Sequence, residues 1–476
     1  MPPAYPYPHV SALKRSSIAS ERPYTHIHKH PLTTFDNSFN SPDSSMDSLS
    51  NFQHYSYYDE NLQAKQKYSN DSFAVSEAQL YNSCYTSPYP LYALDWSLSG
   101  KDPSTAKIAL SSYRDDSTNK LEILYGHQTP NVNKNTDSST SANTNTNSKT
   151  STKANFNEDT NQNLNRSKNE ISNADVDYKF SKAYEQSVKY PITKLQWDPS
   201  MSSSSCSPQL LATTSECLRI YEITDNNELL EKSALTNSKI LDMNQLPPMT
   251  SFDWNRYDPH YLLTCSIDTT CTAWNLVKET FVAKSQLIAH DSEVYDVKYI
   301  SGDTNVFASC SSDGSVRLFD LRNLEQSTII YENTDSTSKL LSSPTNTNGR
   351  SLLRLSTSNY NANQIAVIEQ DSNTISVLDV RNVGTPVYRL SHHSAPVNSI
   401  SWHPTRNQLL SGSDDCQVFI YDFHKGSVVD NYKQTNKSLL PSYRFQTDLE
   451  VNYVCWNPTG DWVGINNGKH FQACKV

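Results

Sequence analysis

Phe307–Arg322 reads FASCSSDGSVRLFDLR, and Leu409–Phe423 reads LLSGSDDCQVFIYDF. Each opens as an apolar, strand-like run, breaks at a Ser/Asp turn, and resumes as an alternating run that ends on an aromatic followed by Asp. Two such runs joined by a short Asp/Gly/Ser break read as a β-hairpin. A further strand precedes each one, VYDVKY at Val294–Tyr299 and VNSISW at Val397–Trp402, so the two units are copies of one three-strand pattern. They start 103 residues apart, which fits two periods of about 40 to 45 residues plus an insertion, and a repeat of that period marks the blades of a propeller.

Working outward, Leu352–Val380 must be the unit between them. Met249–Trp254 with Tyr261–Asn275, and Ile192–Trp197 with Leu210–Ile223, are two more on the N-terminal side. Leu91–Trp96 with Lys107–Gly126 makes the first, and Val451–Trp456 with Asp461–Val476 the last, which gives seven. The fold predicted is all-β, a seven-bladed β-propeller over residues 77–476. The last unit supplies only three strands, so the alternating run Ala78–Tyr85, AQLYNSCY, is predicted to add the outer strand and close the ring. Residues 1–76 and 127–187 are dominated by Ser, Asn and other polar residues. They bury too little apolar surface to offset the entropy of ordering, and are expected to be a disordered tail and a disordered insertion after the first blade.

Composition narrows the function. Forty Lys and Arg against 50 Asp and Glu give a formal charge of −10, which repels a phosphate backbone and argues against direct nucleic-acid binding. MPPAYPYPHVSALKRSS has no continuous apolar core and no run of about 18 apolar residues follows, so a soluble, intracellular chain away from membranes is expected. The nine Cys form no CxxC pair and mostly sit inside strand-like runs, which reads as buried, reduced thiols.

In the fourth unit His290, Ser309 and Asp313 follow the same order, to within one residue of the same spacing, as His393, Ser411 and Asp415 in the sixth. Each set can tie the loop before a blade to its inner turn through hydrogen bonds. Ser, His and Asp together also suggest a catalytic triad. A hydrolase, however, carries one exposed nucleophile on a strained turn, whereas this set recurs, and no G-x-S-x-G occurs among only 11 Gly. The third unit keeps Thr264, Asp268 and Trp274 without the His. No catalytic, cofactor or metal residue is assigned, although His26, His28 and His30 have ligand-like spacing within the tail. Ser41, Ser87, Ser207 and Ser343 precede Pro and are readable as proline-directed phosphorylation sites or as chance pairs. Arg322 and Arg381 each end a third strand two residues after an Asp, placing a guanidinium either on a partner carboxylate or in a local ion pair with Asp320 or Asp379. Tyr190, Glu293, Pro396 and Glu450 lie in loops leading into blades and are candidate partner contacts.

The runs Leu91–Ser97, Tyr190–Pro199, Leu210–Glu222, Phe252–Asn275, Gln286–Tyr299, Phe307–Arg322 and Gln364–Pro404 resemble the WD-repeat proteins that include plant transparent-testa-glabra and anthocyanin regulators and an animal cullin-ligase-associated factor. The resemblance covers essentially all seven units. It implies a non-catalytic, monomeric scaffold or adaptor in cytoplasm and nucleus that gathers protein kinases or transcription regulators and uses no cofactor. Phe319–Arg322 also matches the rim signature through which relatives dock on the damaged-DNA-binding adaptor of cullin ligases, with Phe319, and Leu378 at the second copy, in place of its Trp. The alternative implied role is therefore a ubiquitin-ligase substrate receptor. The long tail and polar insertion depart from compact relatives and suggest a fungal chain.

Overall fold

The structure is a computed structural model that describes residues 76–77, 83–99, 102–114, 118–130, 176–202, 209–224, 228–236, 245–333, 350–425, 428–430 and 437–476. Its strands form seven sheets arranged as the blades of a ring. Blade 4 is typical, with Val294–Tyr299 innermost, then Val306–Ser311, Ser315–Asp320 and Asn323–Glu332 in an antiparallel meander. The inner strands of blades 1 to 7 begin at Leu91, Lys194, Met249, Val294, Leu352, Val397 and Val451.

There is no single central core. Seven apolar clusters occupy the seven gaps between neighbouring blades. This follows from strand periodicity: each blade buries both faces, so its middle strands read as nearly unbroken apolar runs, and Val306–Ser311 and Gln408–Ser413 are buried at every residue. The blade 7/blade 1 gap holds Trp96, Tyr178, Trp462 and Phe471, with Phe180 packed edge-on to Trp96 and Phe471.

The innermost strands are also stitched by side chains, from Asp95 Oδ2, Gln196 Oε1, Asp253 Oδ2, Asp296 Oδ2, Ser356 Oγ and Ser399 Oγ. Each accepts the backbone N–H of the next blade, from Trp197 (2.7 Å), Trp254 (3.1 Å), Tyr299 (3.0 Å), Leu355 (3.1 Å), Trp402 (3.2 Å) and Val454 (3.1 Å) respectively. Between blades 7 and 1, Asn452 Nδ2 donates to Leu91 O at 3.1 Å, so the belt runs the full circle. Strand alternation explains it: one face of each inner strand fills a gap between blades, while the other points at the axis and is free to carry polar groups. Two further contacts cross the axis, Arg354 Nη2 to Tyr92 Oη (2.7 Å) from blade 5 to blade 1, and Lys194 Nζ to Asp296 Oδ1 (3.7 Å) from blade 2 to blade 4.

The ring closes near where the sequence places the closure, with a shifted boundary. Cys84–Thr86 pairs antiparallel with His470–Gln472 as the outer strand of blade 7; residues 78–82 of the expected run lie outside the described residues. Ser76, expected to be the last residue of the tail, and Glu77, the first of the expected propeller, pair in parallel with Tyr443–Arg444 of blade 6.

The expected insertion needs a larger correction. Residues 127–130 and 176–187 are strand, not loop: Asn119–Pro130 and Val176–Val188 pair along their whole length out to Pro130 opposite Val176. The polarity of VDYKFSKAYEQSV is that of an outer strand whose alternate residues meet water, while Tyr178 and Phe180 point inward. Gly126 makes room for them, since a Cβ there would lie 2.5 Å from Phe180 Cε1. The remainder of the insertion, 131–175, and residues 1–75 lie outside the described residues, with His26, His28, His30 and Ser41.

Candidate functional site

Antiparallel meanders sort the connections into two faces. Loops leading into blades and the turns between second and third strands share one face; the other two sets of turns share the opposite one.

The repeated polar sets lie on the first face. His290 Nδ1 stands 2.9 Å from Asp313 Oδ2, and Nε2 stands 2.7 Å from Ser309 Oγ. In blade 6, His393 Nδ1 is 3.0 Å from Asp415 Oδ2 and Nε2 is 2.7 Å from Ser411 Oγ, with the ring stacked on Phe419 at 4.4 Å. A neutral imidazole donating from Nδ1 to the carboxylate and accepting the Ser hydroxyl at Nε2 satisfies every group. Burial pushes the Asp313 and Asp415 carboxyls up, but the hydrogen bonds they accept from their His partners and from the Ser315 and Ser394 N–H groups outweigh it and hold both below the usual range. The geometry is that of a triad, yet Ser309 and Ser411 are both 0% exposed, so neither hydroxyl can reach a substrate. In blade 3, Trp274 Nε1 donates to Thr264 Oγ1 at 2.9 Å, and Asp268, lacking a His, accepts from Thr270 N and Oγ1.

A recurring tie that the sequence reading missed accompanies these sets. Ser266, Ser311 and Ser413 each donate to a carbonyl of the loop leading into their own blade, at Pro248, Ser292 and Ala395, and each accepts the N–H of Asp268, Asp313 or Asp415. The signal was present as Ser two residues before each of those Asp.

Tyr190, Glu293, Pro396 and Glu450 all fall on this face. Glu293 Oε2 accepts Ser292 Oγ at 2.7 Å, which lowers its carboxyl pKa; Lys189 Nζ lies 5.0 Å from the Tyr190 ring centroid; Pro396 O accepts Asp414 N; Glu450 is exposed. Arg322 and Arg381 are on the opposite face, so the six candidates form two groups. Both arginines fork onto the Asp two residues earlier, with Nη2–Oδ2 distances of 2.6 and 2.7 Å, yet keep 59% and 60% of their side chains exposed. Of the Ser-Pro serines, Ser87 is buried, with its Oγ accepting Tyr89 N, while Ser207 and Ser343 lie outside the described residues. The eight described cysteines are all free, and six are buried.

The WD domain, G-beta repeat model matches residues 282–320 and 384–422, which end in the third strands of blades 4 and 6, the blades with complete His–Ser–Asp sets. Over longer spans the chain is similar to a WD repeat-containing protein of Saccharomyces cerevisiae, 32% identical over 82% of this chain and 76% of the relative. It is 34% identical to the DDB1- and CUL4-associated factor 7 homolog of Dictyostelium discoideum, over 82% of this chain and 98% of that protein. The chain belongs to the WD-repeat family. A further WD repeat-containing protein, from Schizosaccharomyces pombe, is 33% identical over 61% of this chain and 75% of its own length. Both matched spans contain a His–Ser–Asp set, so these residues, whose His and Ser are buried, belong to the repeat itself.

Proposed function

We propose that this WD-repeat chain is a non-catalytic adaptor, in cytoplasm and nucleus, whose two faces bind regulatory proteins such as kinases or transcription regulators. The observation that carries this reading is the fate of the only triad-like groups the sequence offered: both are sealed inside blades as ties, while acidic and aromatic side chains of the lead-in loops stay at the surface. The plant-regulator branch of the resemblance rests on the sequence motifs. Affinity purification tests it: wild type is expected to recover kinases or transcription regulators, and Glu293→Lys with Glu450→Lys to lose at least one of them by about tenfold, or ~1.4 kcal/mol. Undiminished recovery of every partner means that face is not used.

A second reading, association with a cullin-type ubiquitin ligase as substrate receptor, is favoured by the Dictyostelium relative, whose name states association with DDB1 and CUL4. Arg322 and Arg381, on the adjacent blades 4 and 5, are the residues that carry it, each guanidinium pre-oriented by its Asp. Replacing both with Ala is expected to change stability by only ~0–1 kcal/mol per exposed pair while abolishing co-purification of the ligase adaptor. Retained co-purification removes these residues from the contact.

A further inference from the structure

Lys194, Asp296 and Arg354 hold the same position in the inner strands of blades 2, 4 and 5. Each stands one residue before an apolar residue, Leu195, Val297 or Leu355, that fills a gap between blades. Strand alternation therefore turns all three to the axis. Lys298, two residues beyond Asp296, shares that direction, and its Nζ lies 2.8 Å from Asp253 Oδ1.

Oxygen acceptors are few at this level. Asp296 is already engaged by neutral donors: Oδ1 accepts Ser251 Oγ at 2.6 Å and Val297 N at 3.0 Å, and Oδ2 accepts Leu355 N at 3.1 Å. Lys194 Nζ stands 3.7 Å from Asp296 Oδ1, beyond hydrogen-bond reach, with its side chain only 8% exposed. Its other polar neighbour is the Lys298 ammonium, a like charge. Arg354 donates from Nη2 to Tyr92 Oη at 2.7 Å, and among the described residues no carboxylate pairs with it. Asp95, also on the axis, accepts Trp197 N and forms no ion pair among the described residues. An ammonium and a guanidinium each carry several N–H donors, and buried charges are costly unless paired and hydrogen-bonded.

We infer that a small oxyanion, of the size and charge of inorganic phosphate, binds on the axis at the level of Lys194 and Arg354. Lys194 reaches from blade 2 toward blade 4 and Arg354 from blade 5 toward blade 1, so the two cations span the axis side by side. The anion supplies the oxygens that their N–H groups lack, and Lys298 adds a third positive charge beside it. A guanidinium presents parallel N–H groups that match two oxygens of one anion, which favours an oxyanion over a halide. Arg354 and Tyr92 are half-buried, so solvent and a small ion reach them. This site goes beyond the adaptor reading and does not depend on it.

Calorimetric titration of the full chain with inorganic phosphate, in chloride buffer at constant ionic strength, tests the site. Wild type is expected to bind one phosphate saturably, with a rise in Tm as phosphate is added. Lys194→Met is expected to weaken binding by about tenfold, and Arg354→Lys, which keeps the charge and loses the fork, by several-fold. Lys232→Met, at a lysine exposed on the outer strand of blade 2, is expected to bind as wild type does. Circular dichroism checks the fold of each variant, and Arg354→Lys reads the site if Lys194→Met does not fold. A parallel titration with N-acetyl-phosphoserine amide identifies the source: binding equal to that of phosphate means the axis admits a phosphate carried on a peptide, and no binding means it takes the free ion. Absence of saturable phosphate binding to wild type, or undiminished affinity in the folded variants at Lys194 and Arg354, overturns the inference. No partner protein takes part, so that failure leaves the adaptor reading standing.

Discussion

Replacing Asp296 with Ala is expected to lower the unfolding free energy by about 3–5 kcal/mol, the range for removing one partner of a buried charge network. Asp296 is 3% exposed and joins three blades: Oδ1 accepts Ser251 Oγ at 2.6 Å and faces Lys194 Nζ, and Oδ2 accepts Leu355 N. Without it, Lys194, Lys298 and Arg354 share the axis with less negative charge to offset them. Lys194 is already strained in this respect, since burial and the neighbouring Lys298 bring its pKa down to about 8. Asp296→Asn, which keeps an acceptor oxygen, is expected to cost less. The effect has a defined pH sign. Burial raises the Asp296 pKa, but Lys194, Lys298 and Arg354 outweigh it and leave the folded value below the unfolded one. A depressed carboxyl stabilises the fold above its unfolded pKa of about 4 and loses that contribution as pH falls through the folded value. Urea melts of wild type and Asp296→Ala should therefore differ most near pH 7 and converge in acid; a constant difference down to pH 2 would show that the charge is not what matters.

Gly460→Val is expected to be comparably severe, about 3 kcal/mol or more, from left-handed backbone strain plus overpacking. Gly460 sits at φ +80°, and a Cβ there would collide with the His403 ring. That ring is 0% exposed and cannot withdraw: its Nε2 lies 2.9 Å from Gly460 O, its Nδ1 accepts Thr405 N and Arg406 N, and Trp456 packs edge-on at 4.6 Å. These bonds require the neutral tautomer with the proton on Nε2, consistent with burial lowering the His403 pKa. A Tm within a degree of wild type would mean the blade 6/blade 7 joint tolerates rearrangement that this packing forbids.

What the sequence made legible follows from what repeats. Blades 4 and 6 announced themselves because identical local jobs, a His four residues before an inner strand and an Asp in the next turn, recur at fixed spacing. Blade 1's outer strand was lost because Val176–Val188 is solvated on one side and separated from its partner strand by 131–175, so neither hydrophobicity nor proximity signalled pairing. The belt around the axis was invisible for a different reason: Asp95 and Trp197, or Asp296 and Leu355, are joined only after seven sheets have been placed in order. Likewise nothing in KSL at Lys437–Leu439 reveals that it pairs in parallel with Tyr388 and widens blade 5. Of the two readings of the rim arginines, the local ion pair is the one the structure shows, each guanidinium being paired with its own Asp while remaining exposed.

Both faces depend on the ring being shut, and the latch is short, three residues paired to the C-terminal strand. Native-state hydrogen exchange reads it directly. Ala473 N donates to Ser83 O at 2.8 Å and Ser87 N to Lys469 O at 2.9 Å. In a closed, cooperative ring these two amides are expected to exchange as slowly as those of Trp197 and Trp254 in the inner belt. Exchange of Ala473 and Ser87 at loop rates, while the belt amides stay protected, would show an open ring and contradict the platform described above.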